Sequence, residues 1–385
     1  MKMKKSIILI LGFTILTSSM TACGSEPPPP VQESPNPIGV ETRDPRIQVS
    51  IQSLADERQD VREAAFEMLM ELGPGAVPAL TYALEDDDAQ IRQAIATILG
   101  EIGPEALYAV PALVHALDDA DPGVRMASAR ALGMIGPDAV HAVPALTQTL
   151  ADADVQVRAN AALALGQIGP PARAAVPDLI RILQDQDEQA REYAARALGS
   201  IGPEAAEAVP ALILALEDGS ITVRCAAAGA LGGIGARAVE AVPALNQTLE
   251  NDGEDKLVLQ AAALSLGLIG PGAADAIPTL VQTLDDEDWQ VCETAALALS
   301  LIGPEAVTPL VQTLEAPEWQ TRKAAVKALG WMGPGTEAAV PTLIQLLADE
   351  NEDVRVTVTE TLTIVTGQNF GADPAAWQQW WETQS

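Results

Sequence analysis

The chain repeats one sequence pattern about ten times, and this repetition constrains the fold more than any other feature. One column of the pattern holds an arginine at a spacing near 33 residues, with another residue type at two positions: Arg62, Arg92, Arg125, Arg158, Arg191, Arg224, Leu259, Cys292, Arg322 and Arg355. A unit this short cannot bury its own apolar surface, so its neighbours along the chain must cover it. The sequence therefore predicts a linear stack of units without a single central core.

The stretch from Ala142 to Pro170 predicts that each unit contains two helices. Pro144 suits a first helical turn, where its missing amide is tolerated, and Asp154 can accept hydrogen bonds from the open amides that begin a second helix. Gly169 and Pro170 then end that helix. Apolar side chains recur at helical spacing on one face of each helix: Val143, Leu146 and Leu150 in the first, and Val157, Ala161, Ala164, Leu165 and Ile168 in the second.

The turn between the two helices of a unit is acidic. The predicted N-cap lies four residues before the arginine column, and in eight units it is occupied by Asp88, Asp121, Asp154, Asp187, Ser220, Asp255, Asp288 and Asn351. An N-cap contributes about 1 kcal/mol, which is reason enough for aspartate at this position. The acidic edge could alternatively steer a basic protein or hold divalent cations loosely. No turn has the full ligand spacing of a calcium-binding loop.

An aspartate also recurs six residues before the arginine column. Because this aspartate and arginine recur together, the units resemble HEAT repeats. More narrowly, they resemble the short, alanine-rich HEAT-like repeats of phycobilisome lyases. The resemblance covers residues 44–366 and implies an all-α fold, a right-handed α-solenoid of about ten HEAT-like helix pairs. It also implies a hydrogen-bonded ladder between stacked units, formed by Asp56, Arg62, Asp86, Arg92, Asp119, Arg125, Asp152, Arg158, Asp185, Arg191, Asp218, Arg224, Asp286, Arg322, Asp349 and Arg355.

Three consecutive units depart from the ladder pattern. The eighth unit has Cys292 in the arginine column, and the ninth has Ala316 in the aspartate column. The seventh has Gly253 in the aspartate column and Leu259 in the arginine column. It also carries a two-residue insertion. If the ladder links neighbouring units, Asp286 is predicted to pair with Arg322.

The same region carries unusual apolar residues on the helices expected to form the inner surface. Trp289 and Trp319 occupy matching positions in the first turns of two neighbouring helices, and Leu264 and Leu297 interrupt a stripe that is otherwise polar. Exposed tryptophan and leucine anchor protein interfaces, so these four residues are candidate protein-binding residues. Alternatively, they fold down and fill gaps left by the interrupted ladder.

The last segment, 367–385, departs from the repeat. It carries Phe370, Trp377, Trp380 and Trp381, which can cover the open apolar face of a terminal unit. We interpret it as a C-terminal cap. A separate binding tail is the alternative.

The first residues have the order of an export signal. Residues 1–22 begin with lysines, continue with an apolar run over 7–16, and end before Cys23 in the sequence MTAC. This order resembles the bacterial lipoprotein signal, which implies that Cys23 is lipidated; a cysteine that merely follows an ordinary signal peptide is the alternative. The proline-rich segment 23–43 is then a linker. These features predict a protein of the bacterial cell envelope, lipid-anchored to a membrane and facing outside the cytoplasm.

Composition excludes several classes of function. A formal net charge of −31 repels nucleic acid, which basic surfaces bind. The chain has only two histidines, His115 and His141, which leaves no plausible catalytic base or di-iron ligand set. Cys225 and Cys292 lie two units apart, beyond the reach of a disulfide, and should be free thiols. We expect no enzyme activity, no cofactor and no bound metal.

The function predicted from the sequence is that of a non-catalytic scaffold. Such a protein would bind a protein partner and attach to a membrane through its N-terminal lipid, and we expect a monomer. The alternative is a bilin lyase-like or chaperone-like subunit that acts on a chromophore protein. The export signal disfavours that alternative, because bilin attachment to phycobiliproteins is cytoplasmic.

Overall fold

The computed structural model describes residues 45–251 and 253–384, and every regular element in these ranges is a helix. Twenty helices form ten consecutive pairs, and one further helix follows them. The predicted all-α stack of ten helix pairs is confirmed. The predictions for the signal segment, Cys23 and the linker lie outside the described residues.

Each unit contains a short first helix and a longer second helix. The first helices, in order, are Pro45–Ser53 (α1), Val77–Ala83 (α3), Val110–Ala116 (α5), Val143–Thr149 (α7), Val176–Ile182 (α9), Val209–Ala215 (α11), Val242–Leu249 (α13), Ile277–Thr283 (α15), Val307–Thr313 (α17) and Val340–Leu346 (α19). The second helices are Gln59–Leu72 (α2), Ala89–Ile102 (α4), Pro122–Ile135 (α6), Val155–Ile168 (α8), Glu188–Ile201 (α10), Ile221–Ile234 (α12), Lys256–Ile269 (α14), Trp289–Ile302 (α16), Trp319–Met332 (α18) and Glu352–Thr366 (α20).

Local sequence fixes where these helices begin and end. The predicted N-caps are confirmed in seven of the eight units; Asp154, for example, accepts from the amides of Gln156 and Val157 at 2.8 and 3.3 Å. Ser220 instead bonds to the hydroxyl of Thr222. A glycine with positive φ, such as Gly103 at 74°, follows each second helix from α2 to α18 and leads toward a 3-10 segment.

Close approach of the second helices builds the stack. A β-carbon added at Gly166 would lie only 2.9 Å from the Cα of Ala197, so α8 and α10 touch through their backbones. The same glycine recurs near the end of most second helices and approaches a small residue of the next unit: Gly100, Gly133, Gly166, Gly199, Gly232, Gly267 and Gly330. Buried alanine and leucine then form one continuous core along the array.

The ladder arginine joins two units at once. Arg158 donates from Nη1 to the carbonyls of Asp152 and Ala153 in its own turn, at 3.0 and 3.3 Å. Its Nε and Nη2 donate to the two carboxylate oxygens of Asp185 in the next unit, at 2.8 and 2.9 Å. Asp185 also accepts from the amide of Asp187 at 3.0 Å. One guanidinium therefore holds its own turn and clamps the following turn to it.

Six such forward clamps occur among the described residues: Arg92 with Asp119, Arg125 with Asp152, Arg158 with Asp185, Arg191 with Asp218, Arg224 with Glu254, and Arg322 with Asp349. Glu254 was not anticipated, because the aspartate column at this unit falls on Gly253. The longer glutamate side chain, one residue later, reaches the same arginine at 2.7 Å. The sixth and seventh units are therefore clamped.

The predicted pairing of Asp286 with Arg322 is wrong. The arginine reaches forward along the chain, so Arg322 bonds to Asp349 at 2.8 Å and not backward to Asp286. A clamp on Asp286 would have to come from position 259, which is leucine. Arg62 and Asp86 do not form a clamp either. Arg62 donates to carbonyls of its own turn, and Asp86 accepts from Gln52 at 3.3 Å.

Two steps of the stack are built differently. The arginine column is spaced by 30 residues, not 33, between the first and second units and between the eighth and ninth. At these steps the close-packing glycine is replaced by Met70 and by Ser300, respectively. The larger side chains prevent backbone contact, and α2 with α4, and α16 with α18, contact each other less extensively than the second helices between them do. Neither step has a forward clamp among the described residues.

Three continuous helical stretches are long and apolar enough, by length and composition, to cross a membrane: Glu188–Ala215, Ile221–Leu249 and Lys256–Thr283. Each runs from a second helix through a 3-10 segment into the next first helix. Between 44% and 61% of the most apolar window of each stretch is buried in the fold. Packing between units thus accounts for much of their apolar character.

The last helix, Pro374–Glu382 (α21), packs on α19 at the end of the stack. Trp377 is fully buried, and its Nε1 donates to the carbonyl of Gly371 at 2.8 Å. Its ring lies edge-on to Phe370 and Trp380, with centroids 5.0 and 6.0 Å away. This aromatic cluster covers apolar surface of the tenth unit, the arrangement expected of a cap.

We predict that Arg158→Ala lowers the free energy of unfolding at pH 7 by about 2 kcal/mol, because it leaves a partly buried carboxylate without its partner. Arg62→Ala is the matched control: it removes the same bonds to its own turn but no forward clamp, and should cost under about 1 kcal/mol. Urea denaturation followed by circular dichroism measures both. Equal losses would show that the clamp between units adds nothing.

The stability that the clamp of Arg158 contributes should depend on pH. The Arg158 hydrogen bond holds the pKa of the Asp185 carboxyl below its ordinary value, although burial opposes this shift. A carboxyl with a lowered folded pKa stabilises fully above the unfolded pKa of about 3.9, and this contribution is lost as the pH falls below it. The difference in stability between wild type and Arg158→Ala should therefore be constant from pH 7 to 5 and shrink below pH 4. Taking the difference between wild type and Arg158→Ala cancels the charge repulsion that both proteins share as the pH changes.

Deleting residues 371–385 should lower the thermal midpoint by several degrees, because the tenth unit would expose apolar surface. Trp377→Ala should cost about 3 kcal/mol on its own, as expected for a fully buried aromatic residue. Gln378→Ala, on the exposed side of the same helix, is the control and should change little. An unchanged melting curve for the deletion would identify the segment as a separate tail.

Candidate protein-binding site

An exposed apolar row crosses the sixth to eighth units. Ile221, Leu257 and Trp289 lie at the first or second residue of α12, α14 and α16, which are neighbours in the stack. Their exposed fractions are 44%, 46% and 66%. Ile221 and Trp289 lie three residues before the arginine column, and Leu257 lies two residues before it. Exposed apolar side chains at neighbouring positions on adjacent units are typical of an interaction surface.

Contacts between units hold this edge together. Lys256 Nζ lies 3.1 Å from Asp288 Oδ2, which joins the starts of α14 and α16. Cys225 Sγ lies 3.8 Å from the carbonyl oxygen of Leu257, which joins α12 to α14. The apolar row is therefore carried on helix starts that are fixed relative to one another.

Carboxylates surround the row. The turns that precede α12 and α16 contain Glu217 and the three acidic residues 286–288, whereas Glu254, before α14, is paired with Arg224. The amide of Gln290 and the ammonium group of Lys256 lower the pKa of Asp288, so this carboxylate is ionised at neutral pH. The surface thus combines an apolar centre with a negative rim, which is the arrangement that anchors and steers a basic protein surface.

The four candidate residues do not share one surface. Trp319 lies at the start of α18 but is partly buried, and Lys323 Nζ is 5.6 Å from its ring centroid. Leu264 is also partly buried. Leu297 is only 7% exposed, so its expected role as an exposed binding residue is corrected: it fills space in the eighth unit. Trp289 alone of the four is well exposed.

Trp289 and Trp319 do not stack on one another. All aromatic ring pairs within residues 45–251 and 253–384 belong to the C-terminal cluster. The step between the eighth and ninth units carries Ser300 in place of the close-packing glycine, and no forward clamp joins these units. The matching positions of the two tryptophans therefore do not bring their rings into contact.

The thiol in the arginine column has a structural role. Cys292 Sγ donates to the carbonyl of Asp286 at 3.0 Å, which replaces one of the bonds that arginine makes to its own turn. Burial, together with the nearby Asp286 carboxylate, raises the pKa of Cys292 to about 11. The thiol is therefore protonated at neutral pH and is a poor nucleophile. Both cysteines are free, as predicted.

The second-helix surface also has a polar depression in the second to fifth units, with a volume of about 330 Å³. Met126 and Arg130, two positions that vary between units, line it together with Gln156, Asn160 and Tyr193. Within the described residues, no group of three or more histidine, cysteine, aspartate or glutamate side chains is placed to hold a metal ion.

Three exposed apolar residues on the other layer were missed by sequence reasoning. Tyr82 and Leu214 lie in the last turns of α3 and α11, and Tyr108 lies in the 3-10 segment before α5. All three are at least 70% exposed. Tyr82 and Leu214 share a column that holds glutamine in several units, such as Gln148, so comparing columns of the first helix could have identified them.

Comparisons with known proteins agree with the repeated architecture. The family model described as HEAT repeats matches residues 47–108, 77–150, 143–220, 209–300, 253–313 and 277–363. A search of curated proteins found no match.

Solved structures share the fold. An engineered protein is 24% identical, with a TM-score of 0.53, over 82% of this chain and 98% of that chain. Importin-β crystallised in polyethylene glycol is 17% identical, with a TM-score of 0.55, over 83% of this chain and 53% of that one. Yeast importin-β, Kap95p, is 19% identical, with a TM-score of 0.52, over 81% and 50%. The chain thus spans about half the length of the importin-β chains that it matches.

The identities to the solved structures are low enough that the likeness concerns the fold alone. The family model, by contrast, matches the sequence along almost the whole described part of the chain. The chain belongs to the HEAT-repeat family.

Proposed function

We propose that this protein is a lipid-anchored, extracytoplasmic scaffold that binds a protein partner without catalysis. The observation that carries the binding proposal is the exposed apolar row of Ile221, Leu257 and Trp289 within a rim of carboxylates. An exposed tryptophan on a fixed helix start supplies a large contact area at low entropic cost. Such residues dominate interface energies.

HEAT-repeat neighbours support this class of function. Kap95p, an importin-β of the same fold, binds RanGDP and forms a complex with Nup1. Those partners belong to Kap95p. Transferred to this chain, the shared feature is a long stacked surface on which separate units present separate side chains.

The anchoring proposal rests on the N-terminal sequence, in which a basic start and an apolar run precede Cys23. Two acyl chains on one cysteine would give lasting attachment, where a single chain gives only marginal binding. The linker 23–43 would then hold the stack away from the bilayer. We propose that the molecule acts as a monomer, because α21 covers apolar surface of the last unit.

Absence of catalysis is supported by the buried, protonated thiol of Cys292 and by the match to a repeat family that indicates no catalytic class. We assign the repeats to the phycobilisome-lyase-like subtype on the spacing of their aspartate and arginine. A bilin lyase-like or chaperone-like subunit is therefore the second candidate. The proposed export signal disfavours it.

We predict that Trp289→Ala reduces partner capture from envelope extract about 30-fold while the thermal midpoint stays within about 2 °C, because this ring is mostly exposed. Leu214→Ala is the control, since it truncates an equally exposed apolar residue on the other layer. Trp319→Ala should instead lower stability, because its ring is partly buried. Intact capture by Trp289→Ala would refute the assigned surface.

The anchor is tested separately with Cys23→Ser in the native host. The precursor of the variant should keep its signal and run more slowly in electrophoresis. Metabolic labelling with an alkyne fatty acid should mark wild type only. If Cys23→Ser were still labelled, the lipid proposal would fail while the binding proposal could stand.

A further inference from the structure

A groove of about 700 Å³ lies between two neighbouring first helices, α15 and α17, at the step from the eighth to the ninth unit. Ile277 and Val281 form one wall, and Pro309 and Thr313 form the opposite wall. The groove runs along the helices to two turns, one that contains Asp285 in the eighth unit and one that contains Glu318 in the ninth. It lies on the first-helix layer, whereas the apolar row lies at the starts of the second helices.

The groove coincides with departures from the repeat. The arginine column is spaced by 30 residues here because the 3-10 segment before α17 is shortened to Pro304–Ala306. Ser300 replaces the close-packing glycine, and Cys292 cannot clamp the next unit. Thr321 Oγ1 instead donates to Asp285 Oδ1 at 2.7 Å across the step. The groove therefore lies at a step where the regular repeat is interrupted.

The lining of the groove combines apolar walls with amides. Gln282 and Gln312 are exposed on α15 and α17, on opposite sides of it. A primary amide can both donate to a carbonyl and accept from an amide, so this pair can bond to both groups of a peptide backbone. Apolar walls with a few polar groups at fixed positions are typical of a recognition groove.

The charged side chains that line the groove are both negative. Asp285 and Glu318 are exposed carboxylates at its turn end, and no lysine or arginine is among its lining residues. Glu318 occupies the N-cap position of α18 but makes no side-chain cap hydrogen bond, unlike the aspartates at most other units. Its carboxylate is therefore not committed to the helix start. The site favours a cation at this end.

The length of the groove matches a short extended segment. A helix of seven residues, such as α17, is about 10 Å long, and an extended chain rises about 3.3 Å per residue. Three or four extended residues therefore span it.

We infer that the groove binds an extended segment of a protein partner, three or four residues long, that directs a lysine or arginine side chain to Asp285 and Glu318. The backbone of the segment bonds to Gln282 and Gln312, and its neighbouring apolar side chains contact the walls. This is a second binding surface, separate from the apolar row, and it gives the partner a chemical description: apolar residues next to a basic one.

The test is selection from a phage-displayed library of random nine-residue peptides on the purified full-length chain. The peptides obtained should be enriched in lysine or arginine beside apolar residues. Gln312→Arg, which places a cation in the groove, should weaken their binding about tenfold. Gln148→Arg is the matched control, because Gln148 occupies the equivalent exposed position on α7; it should leave binding unchanged.

Two further variants examine the charge. Asp285→Asn keeps an oxygen that can accept from Thr321, and Glu318→Gln keeps the size of its side chain, so neither should disturb the fold. Together they should weaken the selected peptides about tenfold and reduce the salt dependence of binding. Trp289→Ala should have no effect, which separates this site from the proposed scaffold surface. Failure to select peptides, selection of acidic peptides, or undiminished binding to Gln312→Arg would each overturn the inference.

Discussion

The stack depends on a guanidinium that faces two units. Each of the six clamping arginines bonds to the carbonyl groups of its own turn and clamps a carboxylate in the next turn, as Arg158 does. That carboxylate in turn accepts from the amide two residues later, which orders the start of the next second helix. Bidentate pairing fixes orientation as well as distance, so the position of one turn is passed to the following one. Between the second and seventh units this chain of contacts is uninterrupted.

The exposed surface departs from the repeat from the sixth unit onward, at the end of this block and beyond it. Loss of the arginine at Leu259 and Cys292 coincides with the exposed ring of Trp289 and with the groove between α15 and α17. Other contacts join these units, including the pair of Lys327 with Glu293 at 2.7 Å. A regular repeat presents the same surface at every unit, so a specific partner requires a departure from regularity. The departures here are clustered.

Sequence predicted the local features well because they depend on neighbours in the chain. Asp154 caps its helix through amides two and three residues away, and this requires no knowledge of the rest of the fold. The direction of the ladder could not be deduced in the same way, because a spacing of six residues between aspartate and arginine does not say whether the arginine reaches forward or backward. Glu254 was missed for a related reason, since a longer side chain compensates for its shift by one residue. The burial of Leu297 and the groove depend on the distance between helices of different units, which no local pattern encodes.

The forward reach of the arginine also makes the array chemically polar from end to end. At the start, Asp56 accepts from the amide of Arg58, and at the other end Arg355 donates to carbonyls of its own turn. The first unit therefore carries a ladder carboxylate, the last unit carries a ladder guanidinium, and these two groups are complementary in charge. Head-to-tail contacts of this kind between molecules generate a ring where the rotation closes and an open filament where it does not. α21 packs on α19 at the second of these ends, so a contact made there would have to form beside the cluster around Trp377.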